Sequence, residues 1–153
     1  KNIYRSKQTV GIGFDVHRLA PNRKLYLAGL KIKSKLGTLG HSDGDPVLHA
    51  ITDAILGACQ MGDIGQMFSD KNKKFKNIRS TILLKKVLDQ MKFKGYFVNN
   101  IDINIITETP KIIITERPIV DNINILLSKI PTIQPIPPNN SKKPTICLYS
   151  DKP

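Results

Sequence analysis

The chain has 153 residues, 40% of them apolar and 24% charged, with 10 Gly and 10 Pro, which suits one domain of ordinary size and excludes a disordered tail or a collagen-like repeat. Its two cysteines, Cys59 and Cys147, are too few for a disulfide scaffold and favour a reducing compartment, and no window approaches the roughly 18 to 20 consecutive apolar residues of a bilayer crossing. The net charge of +12 suits an anionic partner without choosing among nucleic acid, phosphorylated metabolites and acidic surfaces.

A bias toward Lys, Ile and Asn accounts for much of that charge. The densest run, Lys71 to Arg79 (KNKKFKNIR), lacks the Gly-aromatic pattern of RNA-binding sheets and reads as a solvated helix entrance. The N-terminal KNIYRSKQ has no apolar targeting core.

Gln8 to His17 alternates Val10, Ile12, Phe14 and Val16 against Gly11, Gly13, Asp15 and His17, predicting one half-buried strand. Lys24 to Ile32 reads as its hairpin partner after Ala20-Pro21-Asn22. Lys33 to Asp45 is polar and Gly-rich, hence a loop. Asp45-Pro46 supplies an N-cap and a first-turn proline. Val47, Leu48, Ile51, Ala54, Ile55 and Ala58 form the apolar stripe of a helix running to Gly62. A second helix is predicted over Arg79 to Lys94, with Ile82, Leu83, Val87, Leu88 and Met91 inward. Tyr96 to Thr107 alternates as a second long strand. Pro110 to Ile130 reads as largely helical, and PTIQPIPPNNSKKP beyond it as neither helix nor central strand. Only Thr145 to Ser150 offers a further strand. The order β-β-α-α-β predicts a single α/β (α+β) domain over 1–153, a mixed sheet packed with helices, with 131–153 atypical.

Side chains two apart on a strand share a face, so Asp15 and His17 project together, opposite the Val/Ile/Phe row. His49, one turn into the first helix, could complete a two-His, one-carboxylate set on a divalent ion with a coordination position open, the pattern of a catalytic zinc. The bland alternative is a chance D-x-H pair and a hydrogen-bonded helical His. His41-Ser42-Asp43-Gly44-Asp45 is either an Asx-rich turn capping the helix or a phosphate or sugar site. Asp53 shares His49's helical face and either accepts the ring's other N–H or sits solvated. Gly62-Asp63-Ile64-Gly65 is either a C-cap turn or a place where Asp63 takes a diol while Gly65 admits a ligand to the backbone.

GFDVHRL at 13–19, GHSDGDPVLHAITDAILGA at 40–58 and GDIGQMFSD at 62–70 together resemble the 2-C-methyl-D-erythritol 2,4-cyclodiphosphate synthase family of the non-mevalonate isoprenoid pathway. The likeness runs in register from about Thr9 to Ile113, with TETPKII at 107–113 resembling the family's cytidine-binding turn. It implies a homotrimer with active sites between subunits and a nucleotide-linked small-molecule substrate, without a nucleic-acid or membrane partner. It implies zinc on Asp15, His17 and His49, and magnesium or manganese on the substrate diphosphate. His41 would stabilise the transition state. Ser42 would contact phosphate, and Asp63, Ile64, Gly65, Phe68 and Asp70 would line the erythritol portion. Pro110, Lys111, Ile112 and Ile113 would surround the nucleotide.

The family reaction joins a 2-phosphate to the β-phosphorus of the same molecule's cytidine diphosphate arm and expels CMP. Its nucleophile is already an anion, so the absence of a recognisable Ser or Cys triad agrees with it. Two departures stand out. The family's F-P-D-x-D turn reads Phe68-Ser69-Asp70-Lys71-Asn72, and its Thr-Thr-x-Glu segment has no counterpart in 131–153. A phosphohydrolase on the same ligands, or a nucleic-acid binder with structural histidines, are the rival readings. The compartment expected is a bacterial cytoplasm or a plastid-type organelle.

Overall fold

Residues 7–105 and 147–150 are described by the computed structural model of the chain. Regular pairing of the first predicted strand ends at Val10, giving β1 (Lys7–Val10), and the row of apolar residues faces outward. Ile12 is 90% and Phe14 82% exposed, the reverse of a half-buried apolar face. The cause lies on the opposite side. A Cβ on Gly11 would come within 1.9 Å of the Ala54 carbonyl oxygen, and one on Gly13 within 1.8 Å of that of Ala50. The backbone of 11–13 therefore rests directly on helix α1 (Pro46–Ala58), an approach that only glycine permits. The strip runs back along the helix, Gly11 over Ala54 and Gly13 over Ala50, so that Asp15 and His17 come next to the first turns of α1.

Lys24 to Ile32 does not pair with that strand. It folds on itself as β3 (Leu25–Leu27) and β4 (Leu30–Ile32), joined by Ala28-Gly29. Both turn residues have positive φ, 52° and 80°, as a two-residue hairpin turn matched to strand twist requires. Asp45 holds them, accepting from the Ala28 N–H at 3.0 Å and from the Gly29 N–H. β2 (Leu19–Pro21) pairs with β5 (Leu36–Thr38), which lies inside the segment expected to be loop.

Asp45 also N-caps α1 by accepting from the Leu48 N–H at 3.1 Å, with Pro46 at the first helical position, as predicted. One fully buried carboxylate thus joins a hairpin turn to a helix start. All six predicted stripe residues of α1 are buried, and Leu56 and Thr52 are buried as well, because α1 packs against α3, β1 and β3 at once. Truncating a residue such as Ile55 to Ala here should cost about 2 to 5 kcal/mol.

After α1 come α2 (Ile64–Met67) and a 3₁₀ turn at Lys73–Phe75. The lysines of the 71–79 run are exposed, as a solvated helix entrance requires. α3 (Ser80–Phe93) buries Leu83, Leu84, Val87, Leu88 and Met91. Ile82, predicted inward, is 46% exposed. The stripe 83/84–87/88–91 fills the face toward α1 and leaves residue 82 on its flank.

β6 (Tyr96–Asn100) is shorter than the predicted strand over 96–107; Ile101, Ile103 and Ile105 pack against the core without regular pairing. β7 (Cys147–Ser150), within the only late segment expected to pair, lies between β1 and β6. The fold is mixed α and β, and all pairings among the described residues are antiparallel. The predicted helix over 110–130, the Pro-rich stretch after it and Pro110, Lys111, Ile112 and Ile113 lie outside the described residues. Among the described residues no helix is long and apolar enough to cross a membrane.

Candidate metal centre

Asp15, His17 and His49 meet where the glycine strip delivers the first two onto the opening turns of α1. Their candidate ligand atoms all lie within 4.8 Å of one another. Asp15 Oδ2 is 2.9 Å from His49 Nδ1 and 3.0 Å from His17 Nδ1, and the two rings are 5.2 Å apart, centre to centre. The Asp15 and His49 side chains are 21% and 13% exposed, a cluster largely withdrawn from water. Burial pushes the Asp15 carboxyl up, but the hydrogen bonds and charges of the two imidazoles outweigh it and hold the carboxyl well below the usual carboxylate range.

The cluster fits a divalent transition metal. Its donors are two imidazole nitrogens and one carboxylate oxygen, a set suited to zinc with a position left open. His17 Nδ1 is buried with Asp15 Oδ2 beside it at 3.0 Å, so this nitrogen too is turned toward the shared carboxylate.

The loop carrying His41 and Ser42 is fixed from two sides. Arg23 donates to the Thr38 and Gly40 carbonyls at 3.3 and 3.0 Å. On the other side, the Asn77 N–H donates to the His41 carbonyl at 2.8 Å and the Asp43 N–H to that of Ile78 at 2.9 Å. His41 Nε2 is buried without a hydrogen-bond partner, and a Cβ on Gly40 would lie 3.0 Å from His17 Nε2. His41 is thus beside the cluster with an uncommitted ring nitrogen. Ser42 Oγ, in a residue 7% exposed, is 3.0 Å from His49 Nε2 and accepts from the Gly44 N–H at 3.2 Å.

Asp53 has neither partner considered for it. Its Oδ1 accepts from the Ile64 N–H at 2.7 Å, tying α1 to the start of α2. Burial pushes its carboxyl up, partly offset by that hydrogen bond, with Asp63, Asp15 and His49 also acting on it. Asp63 N-caps α2, accepting from the Gln66 N–H at 2.8 Å and from the Gln66 side-chain amide. Asp63, Gly65 and Asp70 are exposed, and Ile64 is partly buried. Phe68 departs from the expectation of a substrate-lining side chain: it is 7% exposed and meets Phe75 edge-on at 5.4 Å, so its ring belongs to the core.

Sequence reasoning gave no part in this site to Ser80, which touches His49, or to Arg79 behind it. The Ser80 Oγ lies 2.9 Å from His49 Nε2 and donates to Asp43 Oδ1; Arg79 Nε is 3.0 Å from Asp43 Oδ2. Asp43 stands inside the polar run singled out above, but Ser80 follows His49 by 31 residues and no local pattern marks it.

A model of the YgbB family matches residues 8–134. Over 102 residues, 67% of this chain, it is 76% identical to the bifunctional enzyme IspD/IspF of Pelagibacter ubique (strain HTCC1062), of whose length it spans 28%. It is 46% identical over 125 residues to the 2-C-methyl-D-erythritol 2,4-cyclodiphosphate synthase of Clostridium botulinum (strain Alaska E43 / Type E3), covering 82% of this chain and 77% of that protein. Its fold matches a solved 2C-methyl-D-erythritol-2,4-cyclodiphosphate synthase in a CDP-bound form with a TM-score of 0.73 at 36% identity, over 78% of this chain and 79% of that one. The chain belongs to the YgbB family, that of the 2-C-methyl-D-erythritol 2,4-cyclodiphosphate synthases.

Proposed function

We propose that this chain converts 4-diphosphocytidyl-2-C-methyl-D-erythritol 2-phosphate into 2-C-methyl-D-erythritol 2,4-cyclodiphosphate and CMP, a phosphorus-oxygen lyase step in isoprenoid precursor synthesis, within one domain over 1–153 whose 131–153 segment is atypical. The observation that carries the reading is the meeting of Asp15, His17 and His49 in a chain of this family. Those three residues would hold zinc, which when bound supplies a Lewis acid and a clamp for phosphate oxygens. A second cation, magnesium or manganese, would accompany the diphosphate.

The bond formed joins a 2-phosphate oxygen to the β-phosphorus, and the bond broken is that between the β-phosphorus and the bridging oxygen that leaves with CMP. Because the nucleophile is anionic, no residue must remove a proton from it. The task is to hold two anions in line, worth roughly 7 to 11 kcal/mol when done by positioning. His41 has the free ring nitrogen to donate to charge growing on the transferred phosphoryl group. Ser42 offers a hydroxyl beside it. Asp63, Ile64, Gly65 and Asp70 would take the erythritol portion, with Phe68 supporting them from the core. Pro110, Lys111, Ile112 and Ile113 would take the nucleotide, in keeping with the CDP bound to the solved relative.

The outward row Val10, Ile12, Phe14 and Val16, 60 to 90% exposed, favours a homotrimer in which a neighbouring copy covers it and helps complete the active site. The bacterial origin of the relatives above favours a bacterial cytoplasm over a plastid-type organelle.

Phosphorus NMR of the turnover mixture tests the reaction. Cyclic diphosphate with CMP is expected, whereas release of inorganic phosphate would mean a hydrolase on the same ligands. His49→Ala should lose both bound zinc and turnover while staying folded; a metal-free variant that still turns over would overturn the proposal.

A further inference from the structure

Behind His49 runs a chain of polar groups that the reaction above does not use. Arg79 Nε lies 3.0 Å from Asp43 Oδ2, and its guanidinium is held in turn by the Gly29 carbonyl at 2.8 Å and by the Tyr26 ring at 4.1 Å. Asp43 Oδ1 accepts from both the N–H and the hydroxyl of Ser80. Ser80, 1% exposed, presents its Oγ to His49 Nε2 at 2.9 Å.

Proton accounting along this chain favours one arrangement. A carboxylate paired with Arg79 only accepts, so the single hydroxyl proton of Ser80 goes to Asp43 and its lone pairs are what face the ring. Toward Ser80, Nε2 is then the donor. Ser42 Oγ, 3.0 Å from the same nitrogen, does not force this choice: its other contacts among the described residues are the Gly44 N–H and Ser80 Oγ, and its proton is not committed to a carboxylate.

We infer that Ser80, oriented by Asp43 and Arg79, is a positioning residue that keeps the proton of His49 on Nε2 and turns Nδ1 toward the corner shared with Asp15 and His17. Resting on the metal reading above, this adds how the third ligand is prepared. With Nε2 engaged by Ser80, Nδ1 is the nitrogen that stands 2.9 Å from Asp15 Oδ2, so a dication bound in that corner would take the place of the proton shared along this contact. Groups that orient a metal-binding imidazole in this way typically contribute 10- to 100-fold to metal affinity.

Asp43 also caps the start of α3 through the Ser80 N–H, where Arg79 has no capping side-chain bond, so replacing Asp43 would mix helix stability with ligand positioning. The test therefore falls on Ser80, with Ser80→Thr and Ser80→Val as a pair of equal shape differing by the hydroxyl. Zinc affinity of the full chain, measured by chelator competition, should stay within about threefold of the parent for Ser80→Thr and fall about 10- to 100-fold for Ser80→Val. Equal affinity of the two variants overturns the inference. Nitrogen-15 NMR of the zinc-loaded parent gives an independent reading: a protonated Nε2 on His49 is expected, and a proton on Nδ1 overturns the inference even if neither variant folds. A parent that binds no zinc removes this inference together with the metal reading, whereas zinc binding with equal variants removes this inference alone.

Discussion

Gly13→Ala should disable the proposed metal centre without touching a candidate ligand. The added methyl would start 1.8 Å from the Ala50 carbonyl oxygen, 2.7 Å from its carbon and 2.8 Å from the Ala54 nitrogen. These are backbone atoms of a hydrogen-bonded helix, so no side chain can swing aside. Ordinary contact begins near 3.4 Å, so the strip must lift by about 1.6 Å from α1. Metal–ligand distances tolerate about 0.2 Å. Asp15 is two residues on and rides with the strip, while His49 stays with the helix, so the ligand set is pulled apart. The overpacking should cost roughly 1 to 3 kcal/mol, lowering Tm by roughly 2 to 12 °C for a domain of this size. Thermal melts of the metal-free protein and zinc stoichiometry by elemental analysis read the two effects separately. A Gly13→Ala protein with full zinc content and unchanged Tm would show that the strip does not rest on the helix as described.

Ile12→Asp should convert the proposed trimer to monomers in sedimentation while leaving the helical circular dichroism intact, because the side chain is 90% exposed in the single chain; a trimer that survives the substitution would place the interface elsewhere. Asp53→Ala leaves the Ile64 N–H without its acceptor, at about 1 to 3 kcal/mol, and loosens the turn that presents Asp63. Substrate KM is expected to rise by up to about tenfold with a smaller change in zinc affinity, and an unchanged KM would detach Asp63 from substrate binding. For the metal-free protein, the two imidazoles hold the Asp15 carboxyl below its ordinary value of 3.8, so the unfolded chain binds this proton more readily. The associated stability is complete above that value and is lost as pH falls below it. Denaturant titrations across that window should show a steeper acid loss for the parent than for Asp15→Asn, and parallel curves would refute the pairing.

Much of the site was legible because its signals are local. Asp45-Pro46 followed by a 3.6-residue apolar period specifies where α1 begins and which face is buried, whatever surrounds it. The period of two from Gln8 to His17 likewise puts Asp15 and His17 on one side of the chain. Periodicity does not say which side is inside. That depended on α1 pressing its backbone against Gly11 and Gly13, which sent Ile12 and Phe14 outward. The same limit applies to partners. His49 and Asp53 share a helical face by spacing, yet Asp53 turns to Ile64, and Ser80 arrives behind His49 from another helix start.

The sequence by itself determined the two helices, the cap of the first and the three candidate ligands, since each follows from neighbours within a turn or a pleat. Only the tertiary structure decided which face of the glycine strip is buried, which carboxylate serves which turn, and what stands behind the imidazole. Those outcomes depend on close approach and hydrogen-bond geometry between segments tens of residues apart, which no short-range pattern encodes.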